Sequence, residues 1–165
     1  MQQMLEQMLI SDTNIFIDLE CCGFTVLMFE LPYRFCTPDI LFDQELKQQH
    51  AHLLDIGLEI LILKPESIRF SFHLLARYGK TSIHDLMALS LAKQENCPLL
   101  TGDKALRDAA QNEDIQVRGT IWILEELITH NKISKDDAIE ALEKMENAGR
   151  RLPFDEAKKR LMNID

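Results

Sequence analysis

Short apolar runs alternate with segments of helical periodicity along the sequence. That alternation constrains the fold more than any other feature. The runs fall at 8–10, 33–36, 58–63 (LEILIL), 98–101 (PLLT) and 115–118, and each reads as a brief strand. Strands separated by helices reach the next strand by crossing over, which makes neighbours parallel and covers both faces of the sheet. The expected architecture is α/β: a three-layer α/β/α sandwich around a parallel sheet of about five strands.

The helical segments are readable from their ends. A short helix follows the first strand from Thr13 to about Glu20 and closes near Gly23. Residues 24–31 suggest another, stopped by Pro32. Thr37-Pro38 suggests a cap and first helical residue for a helix to roughly Gln49. Its apolar side is Ile40, Leu41, Phe42 and Leu46. Pro65 opens a helix that Gly79 ends, and 82–96 carries the strongest helical pattern. Further helices are expected at 103–111 and 120–129. Ser134-Lys135-Asp136-Asp137 resembles a capping box, and a last helix is expected at 154–162. No repeat or low-complexity linker divides the 165 residues, which suffice for one core.

Composition narrows the function classes. A hydrophobic fraction of 46% and a charged fraction of 27% suit a soluble globular chain. No apolar run approaches the roughly 20 residues of a membrane span, and the first residues lack secretory-signal features. These point to a cytoplasmic protein with no membrane partner. Cys21, Cys22, Cys36 and Cys97 show no metal-binding spacing and read as reduced, mostly buried side chains. His50 and His52, on a continuous helix, would diverge by roughly 200°. The net charge of −9 argues against broad electrostatic attraction to nucleic acid. It leaves room for a small basic patch beside an acidic site, and Arg77, Lys80, Lys104, Arg107, Arg150 and Arg151 are its candidates, or simply solvated surface.

Acids mark the sheet edge. The first run ends in Ser11-Asp12, and the fourth reaches Asp103 through one glycine, in LLTGD. In open α/β sheets, ligands gather at the C-terminal edge where strand order reverses. Each acid equally suits the N-cap of the helix after it. Glu45 continues the apolar side of its helix, while Asp85 shares a face with Leu89 and Ala92. Glu45 at a helix margin and Asp85 as part of a cap are the plainer alternatives. Four carboxylates drawn together repel one another unless protons or a cation intervene, and hard divalent cations take such oxygen ligands. The chemistry that suits such a cluster is metal-assisted phosphodiester hydrolysis.

The order of these motifs resembles the PIN domain, a family of small metal-dependent ribonucleases. Asp12-Thr13-Asn14 resembles its opening motif, and PDILFDQEL at 38–46 is similar to the segment bearing its helical glutamate, here Glu45. Asp85-Leu86-Met87-Ala88-Leu89 resembles the third acid and its helix, and LLTGD the strand leading to the fourth. Residues 115–127, with Gly119, resemble the last strand and helix. The resemblance covers roughly 8–128. It implies Mg²⁺ or Mn²⁺ held by Asp12, Glu45, Asp85 and Asp103, with cleavage of single-stranded RNA. Asn14 and Thr101 would be supporting residues and Asp108 a candidate fifth acid. It also implies a homodimer and, for a toxin of a toxin–antitoxin pair, an antitoxin protein partner. The expected organisation is a nuclease domain over 1–130 and a helical extension over 131–165 packed on it.

Two other strand-tip acid families fit less well. A haloacid dehalogenase-type phosphatase needs a second aspartate where Asn14 stands, and a receiver domain needs a lysine where Arg118-Gly119-Thr120 stands. A PIN-like module used for binding or assembly, with little catalysis, is the alternative of a different class.

Overall fold

The apolar runs pair side by side, buried at Leu9, Ile10, Phe35, Cys36, Leu99 and Leu100 and open at one edge, where Ile60 and Ile62 are exposed. In the computed structural model, which describes residues 6–165, β1 (Gln7–Ser11) is the middle strand of the sheet and leads into α1 (Thr13–Cys21). Next come α2 (Thr25–Phe29), β2 (Tyr33–Pro38), α3 (Asp39–Leu41), a π-helical turn (Phe42–Leu46), α4 (Lys47–His50) and α5 (Leu53–Ile56). The chain continues through β3 (Glu59–Leu61), α6 (Pro65–Arg77), α7 (Ile83–Glu95), β4 (Leu99–Leu100), α8 (Lys104–Asn112) and β5 (Val117–Arg118). It ends with α9 (Thr120–Thr129), α10 (Lys135–Asn147) and α11 (Phe154–Met162).

Among the described residues the sheet has five strands in the order β3-β2-β1-β4-β5, every pair parallel. The order reverses between β1 and β4, the place where such sheets open a crevice. Ile10 pairs with Leu99 and Ser11 with Leu100, so the residues after both strands emerge together. The helix α7 packs on β1, β2 and β4, with α3, α6 and α8 beside it. Its residues 86–92 are all buried, as expected of a helix enclosed on every side. A second group, α1, α2, α9 and α10, forms the other layer, with α2 against β2.

Two expectations change. Thr37 and Pro38 belong to β2, and Pro38, with φ −65° and ψ 143°, sits at the N-cap position of α3 instead of inside the helix and makes no side-chain cap. A residue before proline is driven to extended backbone, which lengthens the strand at the expense of the helix. The helix expected over 24–31 contracts to α2, closed by turns at Glu30 and Leu31.

The segment 131–165 contributes to the central core. Ala138, Ala141, Leu142, Met145, Ala157 and Leu161 are buried within the same apolar cluster as Phe16 and Leu124. The helix α10 packs on α1 and α9, and α11 on α9 and α10. Ser134 and Asp137 form the reciprocal capping box at the start of α10. All four cysteines are free; Cys22 and Cys36 are buried, and Cys21 and Cys97 half-buried. No described helix is long and apolar enough to cross a membrane.

Candidate functional site

The reversal of strand order brings two acids to one edge. Asp12 follows β1 directly and is 1% exposed. Its Oδ1 accepts the Ile15 backbone N–H at 3.2 Å, capping α1. Its Oδ2 accepts the Thr101 hydroxyl at 2.5 Å. Thr101 in turn accepts the Asp103 backbone N–H at 3.1 Å, and Asp103 Oδ1 caps α8 through the Ala105 N–H at 3.1 Å. One hydroxyl therefore links the tip of β1 to the tip of β4. Capping and placement at the edge are uses of the same carboxylates.

The other two acids arrive from helices. Asp85 lies in the first turn of α7, where the Ser82 side chain accepts its backbone N–H at 3.1 Å. Glu45 lies in the π-helical turn and is exposed. It does not continue the buried side of its helix, because the extra residue of a π turn rotates the positions after it. Its Oε2 accepts the Thr13 hydroxyl at 3.1 Å, which ties it to the residue beside Asp12.

These acids share one electrostatic field. Burial pushes the Asp12 carboxyl from its ordinary 3.8 up to about 7, against the opposing bonds from Thr101 and Ile15 and with the charges of Asp85 and Asp18 adding to the rise. Burial also raises Asp85, helped by the charges of Glu45 and Asp103 and opposed by Ser82. Buried, mutually repelling carboxylates are the donor set a hard divalent cation takes. Among the described residues, no three His, Cys, Asp or Glu side chains are already arranged to hold a metal ion. The donor chemistry fits a divalent cation.

Asp108, the candidate fifth acid, lies away from these contacts. It is exposed on α8 and lines a separate hollow with Arg77, Thr81 and Ala105. His50 and His52 behave differently from a continuous helix: α4 ends at His50, and a turn swings His52 back. His50 Nδ1 lies 3.0 Å and His52 Nε2 2.8 Å from opposite oxygens of Glu20. Arg77 pairs with Glu113 at 3.2 Å, and Arg107 donates to the Gly102 carbonyl at 3.4 Å.

A family model for DUF3368, described as a PIN domain, matches residues 8–165. The chain belongs to this PIN-domain family. No curated protein matches it. One similar solved structure is a PilT N-terminus domain protein from the hyperthermophilic archaeon Sulfolobus solfataricus P2. It is 12% identical, with a TM-score of 0.48, covering 71% of this chain and 90% of that one. Another is VapBC2 from Rickettsia felis bound to a DNA fragment from their promoter. It is 18% identical, with a TM-score of 0.45, covering 68% of this chain and 98% of that one.

In this PIN domain the family match extends through α10 and α11, past the 8–128 that the motifs alone covered. The structure also adds residues that the motifs did not single out. Asp18, one turn beyond Asn14 on α1, is 4% exposed, and one of its oxygens accepts the Thr120 hydroxyl at 2.7 Å. Its other oxygen accepts Arg150 Nε at 2.6 Å. The sequence signal for Asp18 was its position between buried Ile15, Phe16 and Leu19, an acid on an apolar helix side. Thr13, which meets Glu45, gave no signal beyond its motif.

Proposed function

We propose that this PIN domain is a metal-dependent endoribonuclease that hydrolyses phosphodiester bonds of single-stranded RNA. The observation that carries the reading is the common field of Asp12, Glu45, Asp85 and Asp103, with Asp12 buried and its carboxyl pushed to about 7. Those four residues would hold Mg²⁺ or Mn²⁺. Such a cation neutralises phosphate charge and makes a coordinated water nucleophilic near neutral pH.

The chain's own residues prepare that site. The Thr101 hydroxyl and Ile15 N–H each engage one Asp12 oxygen, which sets the carboxyl plane. Near neutral pH Asp12 keeps its proton for part of the time, and it would give that proton up on holding the cation. The Thr13 hydroxyl holds Glu45 at the opening, where exposure lets it swing toward a cation. In the toxin form of this reading, the protein is cytoplasmic, acts as a homodimer and is held by an antitoxin.

The purified protein is expected to cut single-stranded RNA with Mg²⁺ or Mn²⁺ and to stop in chelator. Equal cleavage by Asp12→Asn would sink the proposal. Added Mn²⁺ should raise the melting temperature of wild type more than that of Asp103→Asn, since asparagine keeps the cap and loses the charge. Melting curves that ignore Mn²⁺ in both proteins would favour the binding or assembly module, a reading that the open arrangement of the acids supports.

A further inference from the structure

We infer that Arg150, delivered by the C-terminal helices, positions Asn14 to donate a hydrogen bond to a phosphate oxygen of the substrate. The inference rests on the nuclease reading and deepens it. It begins with the end of α10. There the Gly149 N–H bonds the Glu146 carbonyl and the Arg150 N–H bonds the Met145 carbonyl, each at 3.0 Å. Gly149 has φ +81°, so this is a Schellman motif with the glycine in the left-handed position. The motif fixes the direction in which Arg150 leaves the helix.

From there Arg150 spans two residues of α1. Its Nε donates to Asp18 at 2.6 Å and its Nη2 to the Asn14 Oδ1 at 3.2 Å. Asp18 is buried, and its second oxygen is held by Thr120, so the guanidinium docks on a fixed anchor. A guanidinium has only donors, so the amide atom facing it must be the oxygen. The orientation of Asn14 is thereby decided by chemistry. Among the described residues its NH₂ is the group left free, and an amide nitrogen does not ligate a hard cation.

Asn14 is exposed, and with Asp103, Lys104, Arg150 and Arg151 it lines a cavity of about 520 Å³. Donors and cations beside an acidic cluster suit an anionic oxygen that bridges them, and a phosphodiester supplies it. Arg150 is a positioning residue: it acts through Asn14. This gives 131–165 a place in the site that the motifs left unexplained.

The test uses the full chain in Mg²⁺ buffer, with inorganic phosphate as the probe and the Asn14 side-chain NH₂ signals followed by NMR, assigned through their loss in Asn14→Asp. In wild type the NH₂ should be rigid and should shift as phosphate is added. Arg150→Lys keeps the charge against Asp18 and cannot fork to both partners. It should melt close to wild type, yet show a mobile Asn14 NH₂ and about tenfold weaker phosphate binding, what one charge-assisted hydrogen bond is worth. On RNA it should raise KM more than it lowers kcat. Wild-type NH₂ signals unmoved by phosphate, in protein that still cuts RNA, overturn the inference and leave the nuclease reading standing. Signals that shift in protein that cuts no RNA leave this phosphate contact and remove the nuclease. An unchanged Asn14 in Arg150→Lys refutes the role of Arg150.

Discussion

Burial at the tip of β1 makes Asp12 expensive to ionise, and the sign of the effect depends on which state keeps the proton. The folded carboxyl titrates at about 7 against an ordinary 3.8. Below about pH 4 both folded and unfolded chains are protonated. As pH rises toward 7 the unfolded chain releases its proton first, so stability present at low pH is lost across that window. A displacement of this size corresponds to on the order of 4 kcal/mol. Urea unfolding in chelator should therefore show wild type losing stability between about pH 4 and 7 relative to Asp12→Asn, whose own curve lacks this component. Parallel curves for the two proteins would refute the burial argument. Thr101→Val probes the same carboxyl from the other side. It strips the Oδ2 partner and the acceptor of the Asp103 N–H, and a loss of about 1–3 kcal/mol is expected by chemical denaturation.

Elements decide how well such residues could be read beforehand. Strand tips were legible because an apolar run that ends in Ser-Asp or Thr-Gly-Asp leaves little choice about where the acid emerges. Asp12 and Asp103 therefore fall at the edge where the alternation placed them. Glu45 was legible as an acid and not as a position, because the π turn at Phe42–Leu46, which buries Phe42 and Leu46, has no period in the sequence. The His50–His52 pair shows the same limit: a helix that stops at His50 brings together two rings that a continuous helix would separate. Arg150 reads in the sequence as one of several surface cations, because only the packing of α10 on α1 brings it to Asp18. The turn that aims it was marked by a glycine after a helical run. Gly149→Ala should cost about 1–2 kcal/mol, the penalty for a side chain in the left-handed region, although a Cβ there meets nothing within 4 Å. Thermal unfolding checks the cost. A stability equal to wild type would mean that the turn tolerates another backbone and does not fix Arg150.

At the scale of the whole molecule, the division into 1–130 and 131–165 becomes a question of where the core ends. A surface extension would leave the body intact when removed. Here Leu142, Met145 and Leu161 are fully buried in the central cluster, and a buried side chain of this kind contributes about 1.5–3 kcal/mol. Three of them account for a large share of the roughly 5–15 kcal/mol that holds a typical domain folded. Removing α10 also leaves Asp18 without Arg150, a buried carboxylate missing its cation, which adds several kcal/mol to the loss. A chain ending at His130 is therefore expected to lack a cooperative melting transition, while the full chain melts in one step. A truncated protein that melts cooperatively within a few degrees of wild type would show that the last helices form a separable unit. In that case Arg150 would reach Asn14 from outside the folded body, and its loss should weaken phosphate binding without touching stability. The burial of Asp18 at 4% exposure argues for the first outcome, because the side chain that bonds Asn14 also pairs with a carboxylate inside the folded body.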